Sequence, residues 1–335
     1  MNRDELKEFQ GRPLSRREFV QRLTVAAGGA GLVTAGMSFL TPAQRAEAAE
    51  AAQDNMGKLP KVKLGTRMGD MMIGRVEISN DWNRALYGPG LAVGCNFVHK
   101  AGYWNSLPED FKNLPRESYY TDITVDSTPD HPDDEDRAYN QVASSLDKNG
   151  LRYYDIFRAH FGWRSVDAFK TKTGTYKAFE RLKREGKVKY FGVSQHGNPG
   201  DGGYANYPEM IQAEIDSGLI DHMQVFFSAA TGPDVIEAFA KAHKAGIGLT
   251  AMKTFAHGSG KVRNDPQLQK DLGAEGMVGR TCVRYALSKT HDLTGGVPIF
   301  HACVSALHSM EMFEENMGAA TMKTAMRDGF SGHFA

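Results

Sequence analysis

Cysteine is scarce in this sequence. Cys95, Cys282 and Cys303 are the three cysteines among 335 residues, and no two of them form a Cys-x-x-Cys pair. Iron–sulfur clusters and zinc ribbons need closely spaced thiolates, so neither kind of site is indicated. The odd number also leaves at least one thiol without a disulfide partner within the chain.

An excess of charge of either sign is also missing. Lysine and arginine together number 40, and aspartate and glutamate together also number 40. Proteins that bind nucleic acid or acidic membranes carry a basic surplus, so the balance gives no indication of either partner. Apolar residues make up 41% of the chain, which is enough for a substantial core and argues against general disorder.

No Gly-x-Gly-x-x-Gly motif follows any predicted strand. An open, doubly wound sheet that binds a dinucleotide uses this motif to bring the backbone close to the phosphates. Its absence disfavours such a sheet, which is the alternative to the fold proposed below.

The amino-terminal segment has the order of an export signal. Ser-Arg-Arg-Glu-Phe, which contains Arg16 and Arg17, precedes the mild apolar run TVAAGGAGLVTAGMSFL and then TPAQRAEAAEAA. A charged region, an apolar region and an Ala-x-Ala zone in this order are typical of a signal peptide. The paired arginines resemble the twin-arginine (Tat) motif, which predicts recognition by the Tat export machinery.

We therefore predict that residues 1–52 are a signal peptide and cleavage region, and that the protein is periplasmic. Cleavage after Ala48 or Ala51 fits the small-residue pattern. Contact with the membrane would then be transient. A retained anchor is the alternative, because the apolar run is close to the shortest length that spans a bilayer.

Residues 53–335 alternate strand and helix patterns. The eight predicted strands are MMIGRVEI, GCNFVHK, YYTDITVD, YYDIFRAH (153–160), VKYFGVSQH (188–196), DHMQVFFSA (221–229), IGLTAMK (247–253) and FHACVSAL (300–307). Amphipathic helices are predicted between them, for example in GTYKAFERLKREGK, DVIEAFAKAHKAG and SMEMFEENMGAAT. Eight such pairs in one domain predict an α/β fold, a closed (β/α)8 TIM barrel.

The fourth predicted strand shows which side chains share a face. A period of two places Tyr154, Ile156, Arg158 and His160 on the same side of this strand. Active residues of such barrels collect at the carboxyl ends of the strands, which makes His160 a candidate site residue. The acidic run DSTPDHPDDEDR, residues 126–137, is predicted to favour the amino terminus of the following helix.

At AFERLKREGKVKYFGVSQH the chain resembles the aldo/keto reductase family, in which a helix leads into a strand reading Gly-Val-Ser-Asn. Five further segments resemble family motifs in the family's order: GCNFVHKAGYW, LRYYDIFRAH, IDHMQVFFS, AGIGLTAMKTFAHG and SALHSMEMFEENM. Together they cover nearly all of residues 60–325. The resemblance implies the barrel fold and an oxidoreductase that acts on a small carbonyl or its alcohol with a nicotinamide cofactor, NADP or NAD.

The resemblance also implies catalytic positions. The family uses an aspartate, a tyrosine, a lysine and a histidine at the barrel mouth. The histidine corresponds to His160, whereas the aspartate position holds His99 and the lysine position holds Thr124. The tyrosine position holds Trp104, with Tyr103 one residue earlier. His160, Tyr103 and His99 are therefore the catalytic candidates, and the standard set is largely substituted.

Positions that contact the cofactor in the family are better matched. They are Ser194, Gln195, Gln224, Phe227, Lys253, Ser309, Glu315 and Asn316. The resemblance implies that Ser194 and Gln195 hold the nicotinamide amide and that Gln224 matches the family's glutamine on the sixth strand. It also implies that Phe227 or the adjacent Phe226 stacks on the ring, and that Ser309, Glu315 and Asn316 lie near the phosphate and adenine. His308 stands about where an arginine for the 2'-phosphate is common, so the sequence does not decide between NADP and NAD.

Two other functions remain open at this point. A catalytically idle barrel could bind a ligand or act as a subunit of an exported complex. Alternatively, His99, His160 and His196 could surround one opening and hold a divalent ion for a hydrolase or isomerase. An exported oxidoreductase would also need a tightly held nucleotide or an exported redox partner.

Overall fold

The computed structural model describes residues 58–99, 106–125, 130–196, 207–255, 266–271 and 278–321. The predicted signal peptide and its cleavage sites lie outside the described residues. Within the described part, no helix combines the length and the apolar character needed to cross a membrane.

Eight parallel strands close into a barrel. The strands of the chain are β1 (Lys61–Lys63), β2 (Met72–Gly74), β3 (Val76–Ser79), β4 (Phe97–His99), β5 (Tyr120–Val125), β6 (Tyr154–His160), β7 (Val188–Gln195), β8 (His222–Phe226), β9 (Gly248–Met252) and β10 (Ala302–Val304). Strands β3 to β10 follow one another around the ring, and β10 pairs with β3 through Cys303 and Val76 to close it. The predicted (β/α)8 barrel is confirmed.

A short antiparallel hairpin covers the end of the barrel where the strands begin. β1 pairs with β2, and the backbone amide of Thr66 in the hairpin loop donates to the carbonyl oxygen of Gly246, just before β9. Gly65 adopts a φ of 67°, and a Cβ there would lie 2.6 Å from that same carbonyl oxygen. The predicted first strand, MMIGRVEI, is therefore divided between this hairpin and β3.

Helices follow the strands around the outside of the barrel. The described α-helices are α1 (Tyr87–Ala92), α2 (Glu109–Lys112), α3 (Glu135–Asn149), α4 (Val166–Thr171), α5 (Gly174–Arg184), α6 (Tyr207–Ser217), α7 (Pro233–Lys244), α8 (Pro266–Asp271), α9 (Val278–Ser288) and α10 (Met310–Thr321). In α5, Phe179 and Leu182 are buried, and the Phe179 ring lies 4.9 Å from that of Phe191 on β7. The amphipathic pattern of this segment thus covers the outer face of the sheet.

In the described part of the acidic run, the carboxylates lie at the amino terminus of α3, as predicted. The side chain of Asp134 accepts a hydrogen bond from the backbone amide of Arg137, and Glu135 and Asp136 occupy the first turn. Carboxylates at this end of a helix are stabilised by the exposed amide groups and the helix dipole. Residues 126–129 lie outside the described part.

Strand β6 departs from the simple alternation at its first residue. Ile156 packs with Phe97 inside the barrel, at the end where the strands begin. Tyr154 instead directs its hydroxyl to Ser145 of α3, at 2.9 Å. A buried phenol needs a hydrogen-bond partner, and this helix supplies one. The prediction that Tyr154 lies on the same face of the strand as Ile156, Arg158 and His160 is therefore wrong.

Candidate active site

The carboxyl ends of the barrel strands enclose a pocket of about 670 Å³. Residues from every barrel strand, or from the loop that follows it, border this pocket. Its members include Ser79, His99, Thr124, His160, Ser194, Gln224, Lys253 and Ser305, with Phe255, Gly279, Met312, Glu315 and Asn316 farther along. This is the end of the barrel where enzymes of this architecture place their chemistry.

His99 ends strand β4 and borders the pocket with 13% of its side chain exposed. Its Nδ1 atom lies 2.9 Å from Oδ2 of Asp122 on β5. The same atom lies 2.7 Å from Nη1 of Arg158 on β6. Both partners are completely buried in the barrel interior. They contact one edge of the imidazole, and its other edge faces the pocket.

Below His99, a connected set of polar side chains fills the barrel interior. Arg158 forms an ion pair with Asp122 at 2.5 Å, and it donates to Oε1 of Gln224 on β8 at 3.0 Å. Gln224 in turn donates from Nε2 to Oε2 of Glu77 on β3 at 3.2 Å. Because β8 and β3 are not neighbours in the ring, this last bond crosses the lumen. We call Glu77, Asp122, Arg158 and Gln224 the lumen layer.

Burial in the lumen layer changes the proton affinity of Glu77. Removal from water raises the pKa of its carboxyl to about 7, although the nearby Arg158 opposes the change. Desolvation disfavours the charged form of a carboxyl group, which is why the direction is upward. Glu77 therefore changes its charge near neutral pH.

His160 ends strand β6, on the same rim as His99. Burial, followed by electrostatic interaction with His99, Arg158 and Lys253, lowers the pKa of His160 to about 4. The imidazole is therefore neutral at neutral pH and can donate a hydrogen bond without carrying charge. Its ring lies 5.6 Å from that of His196.

A third histidine is fixed by a lysine and a phenylalanine. Nζ of Lys253 lies 2.7 Å from Nδ1 of His196, and the Phe161 ring stacks on the imidazole at 4.0 Å. Phe161 and Lys253 both have positive φ values, 58° and 57°. Such backbone conformations are costly for residues other than glycine, and they concentrate at functional sites.

The far end of the pocket lies between α9 and α10. The Oδ1 atom of Asn316 accepts a hydrogen bond from the hydroxyl of Ser305 at 3.0 Å. Gly279 leaves room for the carboxyl group of Glu315, because a Cβ at this position would lie 2.8 Å from Oε2 of Glu315. This end of the pocket therefore carries both an amide and a carboxyl group.

The residues predicted to contact the cofactor divide into two groups. Ser194, Gln224, Lys253, Glu315 and Asn316 border the pocket. The remaining predicted residues, Gln195, Phe227 and Ser309, are not part of its lining.

The three remaining residues have partners elsewhere. Gln195 donates to Glu214 of α6 behind the strand, and the hydroxyl of Ser309 accepts from the backbone amide of Met312. Phe227 is buried in the core, with its ring 4.4 Å from that of Phe300.

Tyr103, the remaining catalytic candidate, lies outside the described residues, as do its neighbours Lys100 and Trp104. Among the residues that the structure does describe, no group of three or more His, Cys, Asp or Glu side chains could hold a metal ion. Nδ1 of His99 and Nδ1 of His196 are both occupied by protein partners. The three-histidine metal site thus has no support in the described part of the chain.

Comparison with known proteins identifies the family. The model of the aldo/keto reductase family matches residues 112–312, which is more than half of the chain. The chain belongs to the aldo/keto reductase family. Its fold and family support an oxidoreductase of the aldo/keto reductase type. No curated protein matches the sequence.

Solved structures of other aldo/keto reductases share the fold. The enzyme from Bacillus halodurans, in its holo form, is 17% identical with a TM-score of 0.60, and the match covers 82% of this chain and 95% of that one. An aldo/keto reductase from Brucella melitensis is 18% identical with a TM-score of 0.55, over 82% and 98% of the two chains. At such low identity, the similarity extends to the fold alone.

The lumen layer of this aldo/keto reductase is the feature that sequence reasoning missed. Asp122 lies two residues before Thr124, and Arg158 lies two residues before His160. Side chains two apart on a strand share a face, so both could be placed below the rim. Their pairing across strands, however, depends on the register of the closed sheet.

Proposed function

We propose that this aldo/keto reductase reduces a small carbonyl compound, or oxidises the corresponding alcohol, with a nicotinamide nucleotide bound in the pocket. One observation carries the proposal. A single pocket joins His99 and His160 at the rim to Glu315 and Asn316 at its far end. It therefore contains both polar groups suited to a carbonyl oxygen and the positions expected near the nucleotide.

The pocket fits a nicotinamide nucleotide in extent and in part of its lining. Its volume of about 670 Å³ is within the range of sites for small molecules and cofactors. Ser194 and Lys253 would hold the nicotinamide half, and Glu315 and Asn316 the adenosine half. The amide of Gln224 is already bonded within the lumen layer, so Ser194 would be the main contact to the nicotinamide amide.

When bound, the dihydronicotinamide would supply a hydride, one hydrogen nucleus with two electrons, to the carbonyl carbon. The chain must bind the carbonyl oxygen and deliver a proton to it. His160 is neutral, so it would donate a hydrogen bond that orients this oxygen. A donor fixed by the protein before reaction stabilises the charge that develops on the oxygen.

Replacement of His160 tests this function. We expect the wild-type protein to reduce some members of a panel of small aldehydes with NADPH or NADH, and His160→Ala to lower kcat/KM by about 100-fold or more. The matched control is His243→Ala. His243 is also half-buried, but it lies on α7 with Nδ1 2.8 Å from the carbonyl oxygen of Ile299, away from the pocket.

The control variant should retain activity close to the wild type. Binding of the nucleotide is followed separately through the change in protein fluorescence, and it should persist in both variants. Absence of both nucleotide binding and carbonyl reduction in the wild-type protein would contradict the proposed function.

We also propose that the protein works in the periplasm after export by the Tat route. The paired Arg16 and Arg17 support this location. Free nicotinamide nucleotide is not expected there, so the nucleotide would be retained by the protein or replaced by an exported redox partner. Fractionation of cells that produce the full chain would reject the proposal if wild type and the double variant R16K/R17K were both cytoplasmic.

A further inference from the structure

Charged side chains in the barrel interior need an explanation. The interior of such barrels is normally filled with bulky aliphatic side chains. Here Asp122 and Arg158 are completely buried at the level just below the pocket. Removal of two charges from water is costly, and apolar residues of similar size often stabilise a protein as well or better. The pair is therefore poorly explained by stability alone.

Another buried ion pair on strand β6 shows what a structural pair looks like. Asp155 lies 2.6 Å from Arg116 and also accepts from the backbone amide of Thr121. Arg116 donates to the carbonyl oxygen of Tyr119. This pair joins backbone segments at the opposite end of the strand. The Asp122–Arg158 pair differs, because both of its members contact the imidazole of His99.

The two contacts at His99 require different protonation states. Asp122 can only accept, so its 2.9 Å contact is a hydrogen bond when Nδ1 carries a proton. Arg158 can only donate, so its 2.7 Å contact is a hydrogen bond when Nδ1 is bare. Both contacts occupy Nδ1 and leave Nε2 for the pocket.

The charges of the lumen layer favour the first state. When ionised, Glu77 and Asp122 carry two negative charges, and Arg158 carries one positive charge. All three side chains are buried, so this surplus is screened little by water. A proton on His99 would neutralise the set, and its Nδ1–H would point to Asp122.

We propose that Asp122, with its charge and orientation held by Arg158, positions His99 so that Nε2 exchanges a proton with the substrate oxygen. This inference rests on the proposed function. His99 is then the catalytic residue, and Asp122 and Arg158 are positioning residues.

The proton and electron balance of reduction is simple. The N–H bond at Nε2 of His99 breaks and an O–H bond forms on the former carbonyl oxygen. The imidazolium becomes a neutral imidazole whose remaining proton, on Nδ1, is held by Asp122. The carbonyl carbon would receive a hydride, which is one hydrogen nucleus with two electrons, from the dihydronicotinamide, which is thereby oxidised. In alcohol oxidation the same proton returns to Nε2.

The first test compares two buried aspartates of the full-length protein. We expect Asp122→Asn to lower kcat for aldehyde reduction by about 100-fold with little change in KM, because proton delivery is impaired. Asp122→Glu, which keeps the carboxylate, should recover part of this loss. The matched control Asp155→Asn also removes a buried carboxylate paired with an arginine, and its kcat should stay within about threefold of wild type.

The second test reports the proton positions without turnover. Histidines labelled with ¹⁵N are observed by NMR at pH 8, and the signals of His99 are identified by their loss in His99→Gln. We expect Nδ1 to carry a proton in the wild type. In Asp122→Asn this proton should move to Nε2, because the carboxylate that fixes the tautomer is gone.

Several results would overturn the proposal. One is a bare Nδ1 in the wild-type protein, since Arg158 and not Asp122 would then hold the ring; this result counts even if Asp122→Asn does not fold. Unchanged kcat in Asp122→Asn is another. A loss of kcat in Tyr103→Phe with none in His99→Gln would assign the proton to tyrosine.

If the wild type reduces no carbonyl, the proposed function fails, and the NMR result alone decides whether Asp122 positions His99.

Discussion

Single residues at the barrel rim carry the differences that the resemblance implies between this chain and its family. The resemblance assigns His160 to the family's histidine position and His99 to the position of its aspartate. Both border one pocket, as the strand pattern and the resemblance together predicted. Their partners could not be predicted, because Asp122 and Arg158 come from different strands and meet His99 only in the closed ring. Local pattern specifies the face of a side chain but not its contacts across the lumen.

Glu77 leads to a prediction about pH and stability. Its pKa rises from the usual 4.5 to about 7 on folding, so between these values the folded protein binds a proton that the unfolded chain has lost. Stability contributed by this group is fully present below pH 4.5 and is lost as pH rises through 7. The loss amounts to about 3 kcal/mol in the free energy of unfolding.

The variant Glu77→Gln isolates this contribution. Its amide oxygen can still accept the hydrogen bond from Gln224, but it does not titrate. Urea unfolding of both proteins between pH 4.5 and 8 should show the wild type losing stability relative to the variant across this range. Parallel stability curves would mean that Glu77 is ionised in the folded protein throughout, contrary to the effect of its burial.

Among the elements, the strands were the most predictable. Runs rich in branched and aromatic residues predicted β6, β7 and β9 within one residue of their bounds, whereas β8 ends three residues earlier than predicted. The first predicted strand is divided, because Met72–Gly74 pairs with the hairpin strand β1 while Val76–Ser79 enters the barrel. A single strand-like segment of sequence does not reveal such a change of partner.

Strand β7 illustrates a conflict between pattern and resemblance. The family motif assigns both Ser194 and Gln195 to the cofactor. Neighbouring residues of a regular strand point to opposite faces, so one of them must face the helices. Ser194 borders the pocket, and Gln195 pairs with Glu214 of α6 behind the sheet. Burial raises the pKa of Glu214 well above its usual value, which suits a neutral pairing with an amide.

For the whole molecule, the rhythm of eight strand–helix pairs was sufficient to predict the barrel, and the family match agrees with it. The chemistry was less predictable. The fold fixes where a site lies, but the side chains at the rim decide what it can do. In this chain, His99 and His160 border the rim, and the buried Asp122–Arg158 pair lies in the layer below them.

Transfer of deuterium from the nucleotide to the substrate tests the central claim most directly. The full-length protein is incubated with an aldehyde panel and NADPH or NADH that carries deuterium at both hydrogen positions of C4 of the nicotinamide, and the alcohols are analysed by mass spectrometry. We expect the alcohol formed to carry the deuterium on its former carbonyl carbon. Unlabelled alcohol, or no alcohol from any aldehyde under nucleotide saturation, would contradict the account.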